Sequence, residues 1–134
     1  IGVTGVQTCA LPIYSFETES YRANADGYLL TRSAMEWFWN HYLRSPLDGH
    51  NPVASPLRGA DLAGLPPAVV ITAEFDPLRD EGEAYVARLR GANGPVDLHR
   101  FDGQIHGFYG NPAIDDGMCA IERVSDALRR ALRV

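Results

Sequence analysis

PPAVVITAEFDPLRDEGEAYVARLRG, residues 66–91, is the stretch on which the fold turns. Its first part, Ala68 to Ala73, is short, rich in β-branched residues and almost wholly apolar, and it is bounded by Pro66-Pro67 and Asp76-Pro77. That pattern predicts a strand buried on both faces, of the kind found in the middle of parallel sheets. The second part, Asp80 to Leu89, opens with acidic residues, has Arg88 and Arg90 near its end and stops at Gly91. Negative charge at the start and positive charge at the end complement a helix dipole, so a helix follows the strand.

Working outward, Val96 to Phe101 alternates as a second strand, and Asp102 to Asn111 reads as a loop. Met118, Ile121, Val124, Leu128 and Leu132 then trace one face of a terminal helix. Strand, helix, strand, helix is the order of an α/β fold. Upstream, Ser33 with Glu36 predicts a capping box, and Met35, Phe38, Trp39 and Tyr42 follow at helical spacing, so a helix is expected from Arg32 to Leu43. Residues 14–30 show neither a helical nor a strand period and read as an ordered loop. Pro46, Asp48, Gly49, Asn51 and Pro52 open a long connector that runs to Pro67.

The 134 residues are 46% hydrophobic and 22% charged, which suits one globular domain or part of one. A net charge of -5 gives nucleic acid or an anionic membrane no electrostatic attraction, so neither is expected as a partner. All 12 basic residues are arginine, a bias of GC-rich genes that points to a bacterial source. Residues 1–13 stand apart. Charge is absent until Glu17, and Val3 to Ile13 reads, codon by codon, as the translation of a common short-read sequencing adapter. The segment has no starting methionine and no basic region, so it is not a targeting signal, and it is set aside as non-native. The alternative is a genuine apolar strand. With Cys9 set aside, Cys119 remains as a single thiol that cannot form an intrachain disulfide, which fits a reducing, cytoplasmic setting.

In open α/β sheets, functional side chains gather beyond the carboxyl ends of the strands, where Asp76 and His106 fall. Each has an ordinary explanation, since Asp76 can cap a turn and His106 can be an exposed loop residue. Together, a carboxylate after one strand and a histidine after the next can meet above the sheet, the carboxylate fixing the imidazole tautomer and the histidine acting as general base. His41, His50 and His99 form no spaced ligand cluster, and there is no glycine-rich phosphate loop, so no metal or organic cofactor is expected.

The stretch Leu65 to Gly82, with Ile105-His-Gly-Phe108, strongly resembles the C-terminal part of hormone-sensitive-lipase-like bacterial carboxylesterases, which are α/β-hydrolases. Tyr21-Arg-Ala-Asn24, Gly27-Tyr-Leu-Leu-Thr31, Trp37-Phe-Trp39 and Ala54-Ser-Pro-Leu57 are similar to that family too. The resemblance implies that residues 14–134 form the C-terminal part of one α/β-hydrolase domain, its last two sheet strands with flanking helices. It also implies that Asp76 is the triad acid, that His106 is the triad base and that Asp80 is not catalytic. The serine elbow Gly-x-Ser-x-Gly and the His-Gly-Gly run that lie upstream in the family do not occur in this sequence, so the chain is expected to be an inactive fragment of a serine esterase for short or medium acyl esters.

Phe38, Trp39 and Phe108 are candidates for substrate contact, against the alternative that they pack a core. The family also implies a homodimer joined through the last strand. A prolyl-oligopeptidase-type peptidase and a hydrolase-like binding protein without catalysis are the rival readings. Finally, an apolar strand lacking a neighbour predicts poor solubility.

Overall fold

A computed structural model describes residues 12–132. The remainder, including Cys9 and most of the segment set apart in the sequence, lies outside the described residues. Ala68–Phe75 forms β1, Arg79–Gly91 forms α3 and Val96–Ile105 forms β2, with β1 and β2 side by side and parallel. Parallel neighbours need a crossover, and α3 supplies it. Its opening turn carries Asp80 and Glu81 and its last turn Arg88 and Arg90, the charge order expected from the sequence.

Both strands run further than the apolar pattern suggested. Only Thr72 and Ala73 of β1 are buried, because among the described residues β1 has a strand on one side only. β2 continues through Asp102 and Gly103, two residues the sequence pattern assigns to the loop. The ladder runs in step from Ala68 opposite Val96 to Ala73 opposite Phe101, then resumes with Phe75 opposite Ile105. β2 therefore accommodates two more residues than β1 between these rungs. Gly103 adopts φ +81°, a conformation that favours glycine, and its N–H donates to Glu74 Oε2 at 2.6 Å. The irregularity is thus held from both strands.

Residues 14–30 correct the expected loop in part, because Glu19–Ala23 forms a short helix, α1. Thr18 caps it, with Oγ1 accepting from the Tyr21 N–H at 3.3 Å. Arg32–Tyr42 forms α2, one residue short of the expected end. Its cap is Thr31, whose Oγ1 accepts from the Ala34 N–H at 3.1 Å, rather than Ser33. Glu36, the other half of the expected box, instead pairs with Arg32 at 2.9 Å across one helical turn. Met35 and Trp39 of α2 are buried, whereas Phe38 and Tyr42 are exposed, so the apolar stripe is narrower than the sequence suggested.

Among the described residues, two clusters make the core. Tyr21, Leu30, Met35, Trp39 and Leu78 form the first, with Tyr14 and Phe16 packed against it. Ala73, Phe108 and Ala120 form the second. The last helix, α4 (Asp115–Leu132), buries Gly117 and Ala120 while leaving Met118 and Leu132 exposed. Gly117 has a plain steric reason: a Cβ there would run into the Phe108 carbonyl, so only glycine lets α4 sit against the loop after β2.

Candidate active site

Because β1 and β2 are parallel, their carboxyl ends lie together, and the residue after each carries a functional side chain. His106 Nδ1 and Asp76 Oδ2 are 2.8 Å apart, and both side chains are largely shielded from solvent. With a carboxylate as partner, Nδ1 is the protonated ring nitrogen and donates, which leaves Nε2 as the basic one. The other carboxylate oxygen, Asp76 Oδ1, accepts from the Leu78 N–H at 2.8 Å. Both oxygens are therefore oriented by named donors. An unbroken ladder would set Gln104 opposite Asp76; the two extra residues in β2 bring His106 there instead.

Each loop is anchored from below. The Leu78 side chain enters the first core beside Trp39 and Tyr21, and Phe108 enters the second beside Ala73 and Ala120. Trp39 is fully buried and Phe108 is 4% exposed, so these two candidates for substrate contact occupy cores that support the loops. Phe38 presents its ring at the surface, edge-on to Trp37. Two surface grooves run along Tyr14, Asn40, Leu43 and Arg44 and along Tyr42, Asp48 and Val53, and neither borders Asp76 or His106.

Asp80, the other acid of the motif, faces away. Its Oδ2 accepts from the Ser20 N–H at 2.8 Å and its Oδ1 from Arg79 Nε at 2.9 Å. Glu81 is buried, and its carboxyl oxygens make no hydrogen bond among the described residues. Burial first, and then the negative charge of Asp76, push its carboxyl up from the usual 4.5 to about 9, so Glu81 is neutral at pH 7. Burial, reinforced in alkaline solution where Glu81 as well as Asp76 is ionised, also raises the Tyr21 hydroxyl far above the ordinary phenol range.

Sequence reasoning missed the part played by residues 20–29. Besides Ser20, Asn24 donates from Nδ2 to the Asp76 carbonyl at 3.3 Å, and the Tyr28 ring stacks on Phe75 at 5.0 Å. Leu29, exposed and at φ +68°, lies against Gly107 beside His106. The signal lay in two motifs quoted above, Tyr21 to Asn24 and Gly27 to Thr31, but nothing in their periodicity pointed to the site. Among the described residues, no group of three His, Cys, Asp or Glu side chains could hold a metal ion, and no helix is long and apolar enough to cross a membrane.

A family model described as the alpha/beta hydrolase fold matches residues 4–110. The chain belongs to that family. The chain is 44% identical over 96 residues to the carboxylic ester hydrolase LipN of Mycobacterium tuberculosis, an alignment covering 71% of this chain and 26% of that protein. It is 49% identical over 71 residues to an arylesterase of Saccharolobus solfataricus, covering 53% and 23%. Among solved structures, a variant of the esterase rPPE bound to (S)-Ac-CPA superposes with a TM-score of 0.82 at 41% identity, covering 85% of this chain and 37% of that one. The ester-hydrolase EH1AB1 from the Lake Arreo metagenome gives 0.84 at 36% identity, covering 91% and 39%. The chain thus spans about a quarter of the length of the first two curated relatives, and the α/β-hydrolase family expected from the sequence is what the comparisons show.

Proposed function

We propose that this hydrolase carries the acid and the base of a serine carboxylesterase, with Asp76 and His106 acting on a serine supplied by sequence outside this chain. The observation that carries the reading is the 2.8 Å contact between His106 Nδ1 and Asp76 Oδ2 at the adjoining ends of two parallel strands. In acyl transfer, the serine hydroxyl attacks the ester carbonyl as His106 Nε2 takes its proton. His106 then returns that proton to the leaving alcohol, and water repeats the cycle on the acyl-enzyme. Asp76 holds the tautomer and stabilises the imidazolium that forms. Small-molecule esters with short or medium acyl groups are the proposed substrates, and Phe38, whose ring is exposed, is proposed to contact them.

Without a Gly-x-Ser-x-Gly elbow, the 134 residues alone are proposed to be inactive. The outer edge of β2 is proposed to join two copies of the intact protein. Residues 1–13 are proposed to be foreign to the gene. The test is to extend the reading frame upstream of Tyr14 from intact source DNA and assay the longer product on short acyl esters. The longer product should hydrolyse them, and the chain alone should not. In the longer product, His106→Ala should lower kcat by roughly 10⁴- to 10⁶-fold and Asp76→Asn by about 10⁴-fold. Full activity in either variant overturns the assignment.

A further inference from the structure

The turn at Asp76 is held in part from within, since the Leu78 N–H donates to Asp76 Oδ1 at 2.8 Å and the Arg79 N–H to the Asp76 carbonyl at 3.2 Å. Pro77 has no N–H to donate, and the Pro77 carbonyl and the second lone pair of the Asp76 carbonyl take donors from elsewhere. Both of these donors come from α1 and the residue that caps its end, more than fifty residues upstream. Ser20 Oγ donates to the Pro77 carbonyl at 2.7 Å, and Asn24 Nδ2 donates to the Asp76 carbonyl at 3.3 Å. Ser20 and Asn24 lie four residues apart, one helical turn, and so share a face.

The contact is reciprocal. Ser20 Oγ also accepts from the Asp80 N–H at 3.2 Å and lies 3.1 Å from Thr18 Oγ1, while the Ser20 N–H donates to Asp80 Oδ2 at 2.8 Å. Asp80 in turn is held by Arg79 Nε, and Arg79 Nη1 donates to the Glu74 carbonyl at the end of β1. Ser20 is fully buried and Asn24 is 3% exposed, so these bonds form in a water-poor setting where an unmet partner is costly.

We propose that Ser20 and Asn24 are positioning residues, a clamp from α1 and its C-cap that sets the Asp76 carboxylate against His106 through the backbone of Asp76 and Pro77. Their hydrogen bonds run to backbone carbonyls, and Asp76 carries the connection on to the imidazole. The clamp places the acid to within the tolerance acyl transfer needs, since a misplacement of about 1 Å can cost ~10²-fold in rate. This inference rests on the reading of Asp76 and His106 as the acid and base.

The experiment is proton NMR of the 134-residue chain, following the low-field resonance of the hydrogen-bonded His106 Nδ1 proton, assigned by its loss in His106→Gln. Ser20→Ala and Asn24→Ala are expected to lose it. Leu89→Ala truncates a buried side chain at the far end of α3 and leaves the clamp untouched, so it is expected to keep the resonance at comparable destabilisation. Should Ser20→Ala not fold, Asn24→Ala removes only the longest bond, and hydrogen exchange of the unmodified chain gives a second reading. The Ser20 and Asp80 amides should open together, with protection equal to within about tenfold. Retention of the resonance in Asn24→Ala, or independent opening of those two amides, overturns the clamp alone. Absence of the resonance from the unmodified chain overturns the pair itself, and the clamp with it.

Discussion

At Glu81 a carboxyl group is carried into the interior beside an acid that already bears a charge. Its carboxyl is raised from 4.5 to about 9, so between those values the folded chain holds a proton that the unfolded chain has released. Its contribution to stability is therefore complete below pH 4.5, falls as pH rises and levels off above about 9. At pH 7 the accumulated loss is on the order of 3 kcal/mol. Glu81→Gln keeps the shape without the proton. The difference in unfolding free energy between Glu81→Gln and the unmodified chain, followed by denaturant titration from pH 5 to 9, should grow with pH in favour of glutamine. A constant difference would mean that Glu81 is ionised throughout. Asp76 and His106 were legible in the sequence because polar, proton-handling side chains stand out at the ends of apolar runs. Ser20 and Asn24 were not, since residues that bond to backbone carbonyls 52 to 57 positions away leave no local pattern. Trp39 was visible as an aromatic on a helix face, but only packing separates a core ring from one that lines a pocket.

Among the elements, β1, α3 and β2 were readable because hydrophobic run, charge order and turn residues agree along one continuous stretch. α1 was not, because five residues complete little more than one helical turn and show no period. The extra pair in β2 also escaped notice, since Asp102 and Gly103 look like any strand-ending turn. Their number matters more than their identity. Side chains alternate along a strand, so removing one residue turns everything after it to the opposite face, while removing two restores the original alternation. Deleting Asp102 and Gly103 together should therefore keep His106 opposite Asp76 in an unbroken ladder. Deleting Gly103 alone should separate them. The low-field imidazole proton distinguishes the two deletions, and its survival in the single deletion would show that the ends of the strands are placed by the loops alone.

At the scale of the molecule, the sheet among the described residues has two strands and leaves an outer edge on each side, and α2 adds the exposed rings of Trp37, Phe38 and Tyr42. Open edges and apolar rings favour self-association. The 134-residue chain should elute as concentration-dependent oligomers in size-exclusion chromatography, whereas a chain extended upstream should not aggregate in this way. A sharp monomer peak for the short chain at all concentrations would show that the edges are already protected. The connector between α2 and β1 completes the picture at this scale. Val53, at its middle, is 86% exposed, while the residues on either side of the connector meet through Leu78, Trp39 and the bonds from α1. The two halves are thus joined twice, once by peptide bonds and once by surfaces that fit. A chain cut at Val53 would become a pair of complementing pieces, one holding Asp76 and His106 and the other Ser20 and Asn24, and a sharpened Asp76–His106 contact on mixing would register their meeting.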